Sequence, residues 1–190
     1  MKIKNLLPLL LALCALGFSS PAHASPNGAW YVFNSFENND WSALLFSSTG
    51  SIDQHSTTWV NQGTYSARFS FSPGPAGQFN ILSKVFDIAN ATNIWPYISK
   101  TGPRSCIVSA HIYSSSGFVG EWGANNSSGT TVANRPLNIA ASPTWQFINF
   151  KLLGTSCTDQ LTVWIENDYP GGSGFSDAAF DSLEVDWQWG

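Results

Sequence analysis

Charge is what this sequence has least of. Its 190 residues include only 8 Lys plus Arg and 12 Asp plus Glu, 11 % in all. An ordinary soluble domain carries roughly 25 %. No basic run or stripe occurs, and the formal net charge is −4. Nucleic acid and anionic membrane surfaces are therefore poor partners. The sequence also lacks a helix-period apolar stripe, which excludes a coiled coil or a helical bundle. Cysteines number three, too few and too far apart for a zinc site. His-Glu-x-x-His is absent, as are a phosphate loop and a dinucleotide fingerprint. PGGSGFS at 170–176 approaches a G-x-S-x-G elbow, but Phe175 stands where a glycine is required.

The one long apolar run is N-terminal. Lys2 and Lys4 precede Leu6 to Phe18, and Ala22-His23-Ala24 supplies small residues at −3 and −1 of a cleavage site. Residues 1–24 therefore read as a secretory signal peptide. The run is short for a span and contains Pro8, so no membrane insertion is expected. Residues 25–190 remain as one domain of charge −6, secreted to the extracellular space or periplasm. Cys106 and Cys157 survive cleavage, and an oxidising compartment pairs them in a disulfide.

What is abundant is aromatic: nine Trp, thirteen Phe and five Tyr, set among Ser, Thr, Asn and Gly. Five segments alternate with period two. Ala67, Phe69 and Phe71 oppose Ser66, Arg68 and Ser70. Val108, Ala110 and Ile112 oppose Ile107, Ser109, His111 and Tyr113. Ile148, Phe150 and Leu152 oppose Phe147, Asn149 and Lys151. Leu161, Val163 and Ile165 oppose Thr162, Trp164 and Glu166. Leu183, Val185 and Trp187 oppose Ser182, Glu184 and Asp186. Such alternation marks strands with one buried face. PGPAG at 73–77, SSSG at 114–117, GANNSSG at 123–129 and PGGSG at 170–174 read as turns. Residues 94–97 suit a loop or a short helix. The sum is an all-β, antiparallel sandwich. Trp145 and Trp187 are expected in its core, Trp30, Trp41 and Trp59 in the core or as end plugs, and Trp189 over a sandwich end.

Certain motifs recur in a telling order: Asn34-Ser-Phe36-Glu37 with Trp41, Gly63-Thr-Tyr65-Ser66, Val108 to Tyr113, Trp145 to Phe150, and Phe180-Asp181-Ser-Leu183-Glu-Val185. In this order the chain resembles the non-catalytic carbohydrate-binding modules with the galactose-binding-domain-like jelly roll. The resemblance spans nearly all of residues 25–190. It implies a jelly-roll sandwich that binds a glycan or polysaccharide. It also implies a structural Ca2+ held by Glu37 and Asp181, with the carbonyl near Gly63 as a third ligand. Ser182 departs from the pattern, which often has a second Asp there.

Sugar recognition needs flat rings for pyranose C–H faces and amides or carboxylates for hydroxyls. The polar-side residues Trp164, Glu166, His111 and Tyr113 supply both, and they form one patch if their strands share a sheet. Trp122 and Asn125 are placed at its rim, with Asp168 and Tyr169 as further candidates. Two other classes compete: a structural or adhesion sandwich, and a small polysaccharide lyase or hydrolase using His111, Tyr113 and carboxylates such as Glu121, Glu166, Asp168 and Asp177.

Overall fold

The computed structural model describes residues 28–38, 40–45, 50–71, 77–93, 104–169 and 176–189. The leader at 1–24, the segment 94–97 and the turn at 170–174 lie outside the described residues. Twelve strands follow in order: β1 (Gly28–Asn34), β2 (Ser42–Leu45), β3 (Gly50–Ser56), β4 (Ser66–Phe71), β5 (Gln78–Asp87), β6 (Thr92–Asn93), β7 (Arg104–Ser114), β8 (Phe118–Asn126), β9 (Thr131–Ile139), β10 (Gln146–Leu153), β11 (Gln160–Tyr169) and β12 (Ser176–Trp189).

They form two antiparallel sheets. The five-stranded sheet runs β2-β5-β11-β8-β9. The seven-stranded sheet runs β10-β7-β12-β1-β6, with β3 and β4 joined through β4 to β12. Strand β12 is the spine of the larger sheet. It pairs with β7 along most of its length, with β4 in its first part and with β1 in its second.

The five alternating segments read from the sequence are β4, β7, β10, β11 and β12, and their apolar sets face the shared core. Ala67, Phe69, Val108, Ala110, Ile112, Leu161, Val163, Ile165, Leu183, Val185 and Trp187 are completely buried. Rings interlock across the layers. Phe118 of the smaller sheet meets Phe69 and Phe180 of the larger one edge-on, at centroid distances of 6.0 and 5.3 Å. Trp122 meets Phe150 the same way at 4.8 Å. The buried Trp187 indole donates to the Thr158 carbonyl at 2.9 Å, so its N–H is satisfied.

Strand β12 interrupts its own alternation. Ser182 takes a left-handed backbone (φ 54°), and the register with β7 shifts between Asp181 and Glu184. This bulge lets Phe180 and Leu183 both point inward while Asp181 turns to the opposite side. The opening motif is a compact turn: Asn34 Oδ1 accepts from the Phe36 N–H at 2.7 Å and from Trp41 Nε1 at 3.2 Å. Phe36 stacks on Trp41 at 5.0 Å, both buried. Trp41 and Trp187 are thus in the core as expected.

Cys106 and Cys157 form the disulfide, both wholly buried. It ties β7 of the larger sheet to the connection that leads from β10 into β11 of the smaller one. The residues are 51 apart in sequence. Closing so long a loop restricts the unfolded chain. The Cys106→Ser/Cys157→Ser variant should lose roughly 2–4 kcal/mol, read as a lower urea midpoint with a slope equal to or steeper than the parent's, since its unfolded chain is less compact. A midpoint equal to that of the oxidised parent would remove the bond from the account of stability.

Candidate functional site

The outer face of the five-stranded sheet carries the best-defined platform. On β11, Leu161, Val163, Ile165 and Asn167 point inward, so Thr162, Trp164, Glu166 and Asp168 point out. On β8, Phe118, Gly120, Trp122 and Ala124 point inward, which sets Glu121, Gly123 and Asn125 on the same outer face. Trp164 pairs with Gly123. Its indole lies across that residue: a Cβ on Gly123 would come within 2.6 Å of Trp164 Cζ2 and 2.2 Å of the Ala133 carbonyl oxygen. Glycine here is what allows the ring to lie against the sheet. Trp164 Nε1 donates to Asn125 Oδ1 at 3.2 Å, fixing the ring in its plane. The indole is half-buried, supported from beneath with area left to solvent.

Carboxylates flank the ring. Glu166 stands directly opposite Glu121 in the β11–β8 register, and Asp168 follows two residues on. Asn134 of β9 donates from Nδ2 to Glu121 Oε2 at 2.8 Å. Partial burial, then the hydrogen bond to Asp168 and the charges of Asp168 and Glu121, push Glu166 up to about 7. Asp168 is raised as well, first by burial and then by the Glu121 charge. On the other side of Trp164, a cleft of about 200 Å³ is lined by Asp40, Ser42, Ser83, Lys84, Val85 and Thr162. Ser83 is the β5 partner of Trp164, so cleft and platform adjoin. Lys84 and Asp40 pair at its edge.

The structure divides the six residues expected to form one patch. Trp164, Glu166 and Asn125 come together as described. His111 and Tyr113 do not join them, because β7 belongs to the seven-stranded sheet and its outer face is on the far side of the sandwich. Trp122 is a core residue, 2 % exposed and packed on Phe150. Its parity on β8 is opposite to that of Glu121 and Asn125, so it cannot rim their face.

His111 and Tyr113 belong to a second aromatic cluster. Tyr113 packs against Trp145 at 5.8 Å and Trp59 at 4.7 Å, and His111 against Phe147 at 5.3 Å. Phe147 is half exposed. Trp145 and Trp59 are therefore on an outer face, half-buried, and not in the core. Trp59 has a left-handed backbone (φ 58°) and lies 5.0 Å below the Arg68 guanidinium. Asp177 holds that guanidinium through two hydrogen bonds of 2.9 and 2.6 Å.

Glu37 and Asp181 act at the root of the loop that carries Trp59. Glu37 Oε1 accepts from the Thr64 and Tyr65 N–H groups at 2.7 and 3.1 Å, and these bonds hold its carboxyl below the usual range. Asp181 Oδ2 accepts from the N–H groups of Asn61 and Gln62, both at 2.8 Å, and Oδ1 from that of Ser182 at 2.6 Å. Burial outweighs these three bonds and, with the Glu37 charge, pushes Asp181 up to about 6. Gly63 (φ 75°) is pressed on Glu37, where a Cβ would lie 2.2 Å from Oε1. A calcium ion here would need oxygens from both carboxylates, and in this structure Glu37 Oε1 and both Asp181 oxygens accept backbone N–H groups. No group of three or more metal-suited side chains gathers among the described residues. The rest of a shell of six to eight oxygens would fall to carbonyls and water.

With the geometry in view, the fold is that of the carbohydrate-binding modules: two antiparallel sheets in a sandwich. The chain is similar to the carbohydrate-binding module TmCBM61, solved in complex with β-1,4-galactotriose, at TM-score 0.52 and 10 % identity over 80 % of this chain and 97 % of that one. It is similar to the CBM22-1 xylan-binding domain of Paenibacillus barcinonensis Xyn10C at TM-score 0.52 and 13 % identity, over 88 % and 99 % of the two chains. It also matches part of the enzymatically active domain of tailspike protein 4 of bacteriophage CBA120, at TM-score 0.52 and 13 % identity, over 80 % of this chain and 20 % of that one. No family model and no curated protein sequence matches the chain.

Two outcomes follow from this geometry. Gly123→Ala should force the indole off the sheet, seen as a shifted Trp emission and a melting temperature several degrees lower. Unchanged emission would show that Gly123 does not seat the ring. For Glu166 the folded pKa lies above the unfolded one, so its charge costs stability once it ionises. That cost grows as pH rises from the unfolded value of 4.5 through about 7. Glu166→Gln should therefore raise the melting temperature at pH 8 more than at pH 4, and an equal rise at both would remove the ionisation argument.

Proposed function

We propose that this protein is a secreted carbohydrate-binding module that holds a glycan on the outer face of its five-stranded sheet. The observation that carries the reading is the Trp164 ring laid across Gly123 and pinned by Asn125. A pyranose stacks its C–H face on the indole. Asn125, Glu166 and Glu121 take its hydroxyls, and the adjoining cleft between Ser83 and Thr162 receives the next residue of the chain. Binding sites of this type combine apolar area with a few placed polar groups. Export brings the protein to its glycan and is supported by the leader-like sequence of 1–24 and by the disulfide. Affinity is modest, since hydroxyl hydrogen bonds replace bonds to water and leave little net gain.

Calcium is a structural part of this reading. Glu37 and Asp181 would hold the ion, and it would supply charge that offsets their repulsion and fastens the loop at Asn61–Tyr65. Chelator should lower the melting temperature and added calcium restore it, with Asp181→Asn abolishing the difference. Identical melting with chelator and with calcium would discard the ion.

The experiment for the main reading is retention of the purified protein on a panel of polysaccharides, with released reducing and unsaturated ends measured in parallel. Trp164→Ala should lose retention, with melting lowered by no more than a few degrees. Retention equal to that of the parent would move the site off this face. Release of sugar ends that disappears with Glu166→Gln would turn the same carboxylates into catalytic groups and replace the binding reading by a hydrolase or lyase.

A further inference from the structure

Glu166 and Glu121 face each other across paired strands, with Asp168 on the same face two residues further along β11. Like charges directly opposite on neighbouring strands are destabilising. The described cations do not relieve them. Arg68 is held by Asp177, Lys84 by Asp40 and Arg104 by Asp159. Arg135 stands opposite Trp122, not Glu121, in the β8–β9 register, and it forms no ion pair with Glu121 or Glu166 among the described residues. Lys151 lies on β10 of the other sheet. The only side-chain donor bonded to Glu121 among the described residues is the neutral amide of Asn134. The face is therefore built at a cost, and it is acidic at the one place where a flat ring is also presented.

Resting on the glycan reading above, we infer that the site is specific for sugars bearing a free amine: glucosamine-type units without their acetyl groups. With a pyranose on Trp164, a protonated amino group beside the ring meets Glu166, Asp168 and Glu121. It supplies the positive charge that the strand pair lacks. A neutral hydroxyl supplies no charge, and an N-acetyl group replaces the charge with a neutral amide. A uronate adds a fourth carboxylate to the three already there and is repelled.

The test is calorimetric titration at about pH 6.5 and low salt with four hexasaccharides. These are fully deacetylated glucosamine, N-acetylglucosamine, β-1,4-glucose and galacturonate. The amine form should bind at least about tenfold tighter than either neutral hexamer, and the galacturonate weakest. Added salt should erase most of that margin. In Glu121→Gln/Glu166→Gln/Asp168→Asn, whose folding is checked by its melting temperature, the ratio of amine to neutral affinity should fall to near one. Neutral or acidic hexamers binding as tightly as the amine form, in a manner that needs Trp164, would overturn this inference and leave the glycan reading standing. No binding by any of the four would overturn both. An amine preference that survives the triple substitution would also overturn the assignment, since the charge recognised would then lie elsewhere.

Discussion

Every feature of this molecule rests on the pleat of strands packed as two layers. Successive side chains must point to opposite faces, and only one face of each sheet can meet the other sheet. Once Leu161, Val163 and Ile165 are committed to the core, Trp164, Glu166 and Asp168 have no other place than the outside. The same rule puts Trp122 in the core and Glu121, Gly123 and Asn125 next to Trp164. The Trp164 platform is in this sense a by-product of core packing, with the outer positions free to take residues that the core would reject.

Where the pleat is broken, the break has a purpose that can be read from the contacts. The bulge at Ser182 turns Asp181 from the core side to the loop side of β12. There it receives the backbone N–H groups of Asn61 and Gln62, while Glu37 receives those of Thr64 and Tyr65. A single loop is gripped in its middle and at its C-terminal end by carboxylates from remote parts of the chain. The loop in turn lays Trp59 against Tyr113 and under Arg68. The aromatic cluster of the seven-stranded sheet is thus a construction of loop and sheet together, unlike the Trp164 platform, which is made by strands alone.

The two faces differ in electrostatic character. Around Trp59 and Tyr113 the Arg68 charge is answered by Asp177 in a two-point fork. Around Trp164 three carboxylates gather, and Glu166 is raised to about 7 because its neighbours are acids and its surroundings are partly dry. Sandwich folds of this kind host many functions. The distribution of charge over the faces, more than the fold, is what separates one use from another.

Much of this was legible in the residues. Period-two alternation in five segments determined which side chains of β4, β7, β10, β11 and β12 are buried, because a half-buried strand writes its own pleat into the sequence. It marked Trp164 and Glu166 as outward, and the cysteine count marked Cys106 and Cys157 as a pair. Other elements hid their signal. GANN at 123–126 has the composition of a turn, yet it is the end of β8, where Gly123 serves to admit the Trp164 ring and Asn125 to hold it. Trp145 and Trp59 look like core residues by type, and only their neighbours show them on an outer face. Above all, alternation says which way a side chain points but not which strand lies beside it. His111, Tyr113, Trp164 and Glu166 are all outward in the sequence pattern, yet β7 and β11 lie in different sheets, so the first two stand on one side of the sandwich and the last two on the other. Local pattern fixes the face of a strand; pairing between residues far apart in the chain decides which faces become one surface.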